Sequence, residues 1–295
     1  MERRYRSPTI GEIFRRAGGI EVPEAMKEAA RVSARSSGDI ALTRVFEGLG
    51  SVIGNVDKIY DEVINSLRGA SYTLEDIQPF IDRNAEALRP NGNSGIILSA
   101  MINNIIKEGE KIEIDPNGLL LDRIGYKLPR GELILNGNAG GRAGDSMSSG
   151  TLTINGSAGY RAGHYMSGGT LTIKGNAGSW AGYHMSGGTL TIQGNASDQA
   201  GSSMSSGTLT IKGNAGYMAG HYMSGGALTI KGTAVDSTGY YMSGGKLVIK
   251  GNSGYKTGYN TIQSTGTIVI EGEAKSVADR NMRGGKLFVN GKKVK

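Results

Sequence analysis

The chain holds three histidines, His164, His184 and His221, and no cysteine. Chemistry that needs a thiol is therefore excluded: no disulfide, no thiolate metal ligand and no cysteine nucleophile. A 19-residue spacing places the histidines in two columns. One runs Asp145, His164, Tyr183, Ser202, His221 and Tyr240; the neighbouring one sets His184 beside Ser203. A hydroxyl next to an imidazole is the nucleophile–base pair of a Ser-His hydrolase, which makes Ser203 and His184 the candidate catalytic residues. Against them, no acidic residue orients His184 or His221 in its own column, and no Gly-x-Ser-x-Gly elbow surrounds a serine. Ser and Tyr hold the same columns in other coils, so polar spacers on a solvated face are the competing reading. Three histidines in two columns with few carboxylates do not converge as metal ligands. The glycine-rich turns lead into strands without Gly-Lys-Ser/Thr, unlike a phosphate loop. Neither metal nor cofactor is expected.

Two further columns suit binding better than catalysis. Lys174, Lys212, Lys231 and Lys250 share a column with Asn155, Gln193 and Glu271; Tyr165, Tyr222 and Tyr241 share another. Stacked lysines repel, so they spread into solvent or meet a negative surface. Tyrosine beside lysine suits a protein partner, a sugar chain or single-stranded nucleic acid. The net charge of +7 points the same way. Residues 1–110 carry 14 Lys/Arg against 16 Asp/Glu, whereas residues 111–295 carry 19 against 10. Solvated charge that keeps an extended stack soluble is the simpler explanation of the excess.

What must position these side chains is a repeat. Met147, Met166, Met185, Met204, Met223 and Met242 stand 19 residues apart, as do Leu133, Leu152, Leu171, Leu190, Leu209, Leu228 and Leu247. A fixed short period means stacked units. Runs of Gly, Thr and Ser are poor helix formers, and Thr-Leu-Thr-Ile alternates with period two, as a half-buried strand does. Nineteen residues suit one turn of a parallel β-helix. Leu152 and Ile154 then point inward, Thr153 outward, with Met166 and Ala162 filling the middle. Gly144, Gly163, Gly182, Gly201, Gly220, Gly239 and Gly258 mark a corner that needs positive φ or no side chain. Asn138, Asn176, Asn195, Asn214 and Asn252 are expected to form a side-chain amide ladder. Ile112-Glu113-Ile114 fits an imperfect first strand 19 residues ahead of Leu133, with Asp115-Pro116-Asn117-Gly118 as its turn. The period lengthens to 21 before Ile268, near Gln263. Nine strand units after the imperfect one make a rod of roughly 40 Å. The last coil, with Lys292, Lys293 and Lys295 behind it, shows no cap, and its edge is blunted by charge or by a neighbour.

The unit Gly-x-x-x-Gly-x-x-Met-x-x-Gly followed by Leu-x-Ile-x-Gly, with Gly175–Gly182 reading Gly-Asn-Ala-Gly-Ser-Trp-Ala-Gly, resembles the GXGXG repeat family across residues 131–291. Its known settings are the C-terminal domain of the large chain of glutamate synthase and one of the subunits of formylmethanofuran dehydrogenase. The resemblance implies a right-handed β-helix that braces catalytic domains and holds neither cofactor nor catalytic residues. No site residue carries over, and residues 1–108 match neither setting.

Residues 1–108 read as about five short helices. Ser7-Pro8, Val22-Pro23 and Asp39 open the first three. Ile59, Val63 and Leu67 share the face of one that Gly69 ends. Thr73 and Asp76 resemble a capping box that Pro79 soon breaks or restarts. After a turn at Pro90-Asn91-Gly92-Asn93, Ile96, Ile97, Met101, Ile102, Ile105 and Ile106 make the strongest helix. Arg3, Arg4, Arg6, Arg15 and Arg16 form a basic arm or simply solvated charge. No apolar window reaches membrane-span length and no leader follows the N-terminal Met-Glu-Arg-Arg, so a cytoplasmic location is expected. The organisation expected is therefore a helical domain (1–108) and a mainly β, parallel β-helix domain (109–295). Its expected role is a non-catalytic scaffold with a protein partner or self-association. The rivals are an esterase-like hydrolase using Ser203 and His184, and a polyanion- or carbohydrate-binding module.

Overall fold

A computed structural model describes residues 41–43, 56–88, 94–261, 265–276, 282 and 284–294. Within them the chain is a parallel β-solenoid of about nine turns, entered through helices. Helix α1 (Val56–Ser66) buries Ile59 and Val63, with Leu67 just beyond it, and the chain turns at Gly69, φ +83°. A 3-10 turn (Leu74–Asp76) leads into α2 (Ile77–Leu88); the Asp76 carboxylate accepts from both Thr73 N–H (2.8 Å) and Thr73 Oγ (3.0 Å). Pro79 restarts rather than breaks the helix: it lies in the first turn of α2, where a missing N–H costs nothing. Helix α3 (Ser94–Ile105) is buried all round from Ser94 to Met101 and Ile102, as a helix that is apolar on every side must be. The helix starts at Ser7, Val22 and Asp39, the arginine cluster, the Pro90–Asn93 turn and Gln263 lie outside the described residues.

The strands are β1 (Lys111–Ile114), β2 (Glu132–Leu135), β3 (Thr151–Ile154), β4 (Thr170–Ile173), β5 (Ser186–Ile192), β6 (Ser206–Ile211), β7 (Ala227–Ile230), β8 (Lys246–Ile249), β9 (Thr267–Ile270), β10 (Lys286–Val289) and β11 (Lys292–Lys293), in one sheet of that order. From β1 to β10 every pairing is parallel, and from β2 to β8 the register step is 19 residues except at Ser186, which pairs with Ser206 ahead of a shift between β5 and β6. The first step departs from the expected 19: Ile112 pairs with Leu133 and Ile114 with Leu135, so the opening coil is two residues longer. Its extra length accommodates the Asp115–Gly118 turn, where Asn117 and Gly118 both have positive φ and Leu119 N–H reaches Pro116 O at 2.8 Å. The later 21-residue step leaves Leu247 opposite Ile268.

Inside the tube the leucine, isoleucine and methionine columns are fully buried, and one apolar core runs from Leu42 to Leu287. The glycines of the 144–258 column all have φ between +69° and +71°. A Cβ at Gly163 would stand 3.0 Å from Leu190, so the corner needs glycine for space as well as for its dihedral. The asparagine column is not a side-chain amide ladder. Each Oδ1 instead accepts the backbone N–H of the same column one coil on: Asn138 from Ser157, Asn176 from Asn195, Asn195 from Asn214 and Asn214 from Thr233, each at 2.8 Å. Asp122, Asp198 and Asp236 do likewise for Gly141, Tyr217 and Tyr255. Corner donors that the strand ladder cannot reach are satisfied this way, and burying such donors unpaired would cost far more than the bonds gain.

Both ends are closed. At the start, Ser99 Oγ on α3 accepts from Gly125 N–H (2.9 Å) and Tyr126 N–H (3.2 Å), and Asn103 donates to Tyr126 O. Just past β1 the Gln78 side-chain amide donates to Asp115 O (3.2 Å) and accepts from Asp115 N–H (2.7 Å). At the finish the expectation of an uncapped coil is overturned. Asn290 and Gly291, with φ of 49° and 73°, turn the chain back so that β11 pairs antiparallel with β10. Two positive-φ residues are what a tight hairpin turn needs, and Asn-Gly supplies them.

Candidate functional site

The candidate residues lie on one arc of the tube, the corner between the alanine and methionine columns. Each coil there carries a non-glycine residue with φ near +57° on either side of its glycine. Arg123, Arg142, Arg161, Trp180, Gln199, Met218, Ser237 and Lys256 fill one such column; Lys127, Ser146, Tyr165, His184, Ser203, Tyr222, Tyr241 and Asn260 fill the other. Ser203, His184 and the three expected tyrosines thus occupy one structural position repeated. Their backbone strain belongs to the corner, since every coil shares it, and does not mark a catalytic residue.

Ser203 and His184 are neighbours on successive coils, and among the described residues no hydrogen bond joins Ser203 Oγ to the His184 ring. Ser203 N–H donates to His221 O (2.7 Å) and His184 N–H to Ser202 O (3.1 Å), which are coil-to-coil backbone contacts. The His184 imidazole lies stacked on the Tyr165 ring, 5.2 Å between centroids and 8° between planes. Burial, then the nearby His164 and Arg161 charges, hold its pKa below the ordinary histidine value. Burial does the same to His221. The one imidazole with a carboxylate partner is His164, whose Nδ1 stands 3.2 Å from Asp145 Oδ1. Asp145 also accepts from Ser146 Oγ at 3.0 Å and has Arg123 Nε at 3.5 Å, and both Asp145 and His164 are buried.

Sequence reasoning missed much of this arc. Tyr160, Tyr217 and Tyr255 are exposed in a further column, which they share with Ser179, Asp198 and Asp236. Tyr222 stacks on Tyr241 (5.1 Å, 6°), Tyr240 on Tyr259 (5.8 Å, 3°) and His164 on Tyr183 (5.7 Å, 8°). Rings stacked from coil to coil cover one another's faces. Beside them the Arg142 guanidinium sits 5.9 Å over the Tyr160 ring, and that of Arg161 5.7 Å over Trp180 and 5.4 Å over Tyr183. The 19-residue spacing of Arg123, Arg142 and Arg161 was the available signal. The lysine column is separate: Lys174, Lys212, Lys231 and Lys250 are exposed just past the strands. Lys250 meets Glu271 at 3.5 Å, and among the described residues none of the four lies over a tyrosine ring.

The fold defines the class, a helix-capped β-solenoid repeat protein. Compared with known proteins, the chain matches no family model, and no curated protein sequence matches it significantly. Among the described residues no helix is long and apolar enough to cross a membrane, and no cluster of three potential metal ligands occurs.

Proposed function

We propose that the chain is a non-catalytic scaffold of the cytoplasm whose aromatic corner docks a protein partner or a second copy of itself. One observation carries this: Tyr160, Tyr165, Tyr217, Tyr222 and Tyr255 are between 42% and 53% exposed along one corner of a rigid rod. Monomeric surfaces seldom line up large rings this way, and tyrosine is a typical interface anchor. Stacking of Tyr165 on His184 and of Tyr222 on Tyr241 covers one face of each ring, which disfavours a sugar or base that would stack there. The exposed lysine column, Lys174 to Lys250, supplies a polar rim. The resemblance to GXGXG repeats supports an oxidoreductase assembly as the setting.

The reading predicts a complex larger than the monomer by sedimentation, from purified chain or from native extract. Replacing Tyr165 and Tyr222 together by Ser should dissolve it without unfolding, because Ser146 and Ser203 already occupy that column. A monomer under both conditions, or a complex indifferent to the double substitution, would overturn it.

A further inference from the structure

We propose that Arg123, Arg142 and Arg161 form a binding site for a short chain of phosphates. They occupy one column on three consecutive coils, so the solenoid fixes their backbones about 4.8 Å apart, a row of roughly 10 Å. Like charges at that spacing repel and gain from an anion laid along them. The local carboxylates offset the row only at its Arg123 end. Asp145 is shared between Arg123 and His164, and Asp122 is engaged with the Gly141 N–H. Among the described residues neither Arg142 nor Arg161 has a carboxylate within ion-pair distance. Lys127, nearby, is already held by Asp57 at 2.6 Å.

The guanidinium groups are also aimed. Arg142 is pinned against Tyr160, and Arg161 against Trp180 and Tyr183, so little rotamer freedom remains to be lost on binding. Among the described residues the buried Nε of Arg142 has neither a hydrogen-bond partner nor a carboxylate beside it, so its charge is not offset within the protein. Planar forks match phosphate oxygens in a way that ammonium groups do not. The length of the ligand follows from the column. Beyond Arg161 it continues for four coils as Trp180, Gln199, Met218 and Ser237, none of them cationic, before Lys256. A long nucleic acid would find three consecutive contacts and then a gap of four coils, whereas three linked phosphates fill the row. This site is distinguishable from the docking reading: it lies at the helical end of the arc and needs no partner protein, and only Tyr160, which holds Arg142, belongs to both.

The test is calorimetric titration of the full chain with tripolyphosphate, with ATP, orthophosphate and a 20-nucleotide single strand as parallel arms. One tripolyphosphate per chain should bind, orthophosphate at least tenfold more weakly. Binding of ATP as tight as that of tripolyphosphate would identify the source as a nucleotide, and weaker binding a free oligophosphate; both keep the site. Arg142→Gln with Arg161→Gln should lower tripolyphosphate affinity at least tenfold. Glutamine fits the backbone there, since Gln199 holds the same column with φ +60°. Lys212→Gln with Lys231→Gln should change it less than twofold. If the arginine pair fails to fold, Arg161→Lys alone must still weaken binding, because an ammonium group cannot fork two phosphate oxygens. Three outcomes would falsify the proposal: no tripolyphosphate binding at millimolar ligand, equal losses in the arginine and lysine variants, or affinity for the single strand exceeding that for tripolyphosphate.

Discussion

The two ends of the tube solve one problem with different materials. At the helical end the columns open on large apolar residues: Ile124 stands where later coils have alanine and Leu128 where they have methionine, both fully buried. Helix α3 lies so close to the first coil that a Cβ on Gly95 would run into the Asp122 carbonyl. At the other end the same columns turn polar. Thr238 and Thr257 take the alanine position, Thr261 the methionine position and Ser253 the other alanine column, all buried. Thr238 and Thr257 satisfy themselves on Val235 O (2.7 Å) and Gly254 O (3.3 Å), but among the described residues the hydroxyls of Ser253 and Thr261 find no partner. The two-residue strand β11, with Lys292 and Lys293 exposed, is what closes that end among the described residues. In a solenoid each coil is stabilised by its neighbours, so such a gradient sets where unfolding starts. The helical end is the anchor and the lysine end frays first.

The comparison breaks most visibly at Gly95. Gly95→Val forces backbone apart rather than a side chain, and a loss of about 3 kcal/mol in urea denaturation is expected. A loss below about 1 kcal/mol would show that α3 is not the anchor. Conversely, Ser253→Ala and Thr261→Val remove orphaned hydroxyls from the polar end, and each should raise stability by about 1 kcal/mol. Hydrogen exchange should then report slower opening of β8 and β9 with β2 and β3 unchanged; destabilisation by either substitution would mean those hydroxyls are bonded.

The smallest effect concerns pH. His221, midway along, has its pKa lowered by burial. The unfolded chain therefore takes up a proton near pH 6.5 that the folded chain accepts only at lower pH. Stability from this group is intact above pH 6.5 and declines as pH falls through the interval below it. His221→Tyr, matching Tyr240 in the same column, should flatten the fall in melting temperature between pH 7 and pH 5. An unchanged slope would place the acid sensitivity elsewhere.

Much of this architecture was legible because a solenoid writes its geometry as a period. The buried Met and Leu columns, the positive-φ glycines and the inward Leu152 and Ile154 all follow from counting by 19. Counting failed where the period bends, which is why β1 was displaced by two residues and the Asn290-Gly291 hairpin went unread. It failed again where side chains choose between partners of equal chemistry. An asparagine column suggests amide to amide, yet the next coil's backbone N–H lies nearer and would otherwise go unpaired. Ser203 beside His184 was legible as adjacency. That the imidazole spends its face on Tyr165 was not, because ring orientation depends on contacts across coils.

Repetition of a 19-residue unit by itself determined a stack of parallel strands with a Leu-Ile-Met interior, since only like residues over like residues bury that pattern. The tertiary structure alone decided how the stack begins and ends, and which corner donors each Asn and Asp satisfies. It alone also decided that the Arg142 and Arg161 guanidinium groups lie over aromatic rings, that Tyr165 stacks on His184 and Tyr222 on Tyr241, and that Asp145 and His164 are buried together. Those outcomes turn on packing and hydrogen-bond competition between coils and helices. Such competition leaves no periodic trace in the chain.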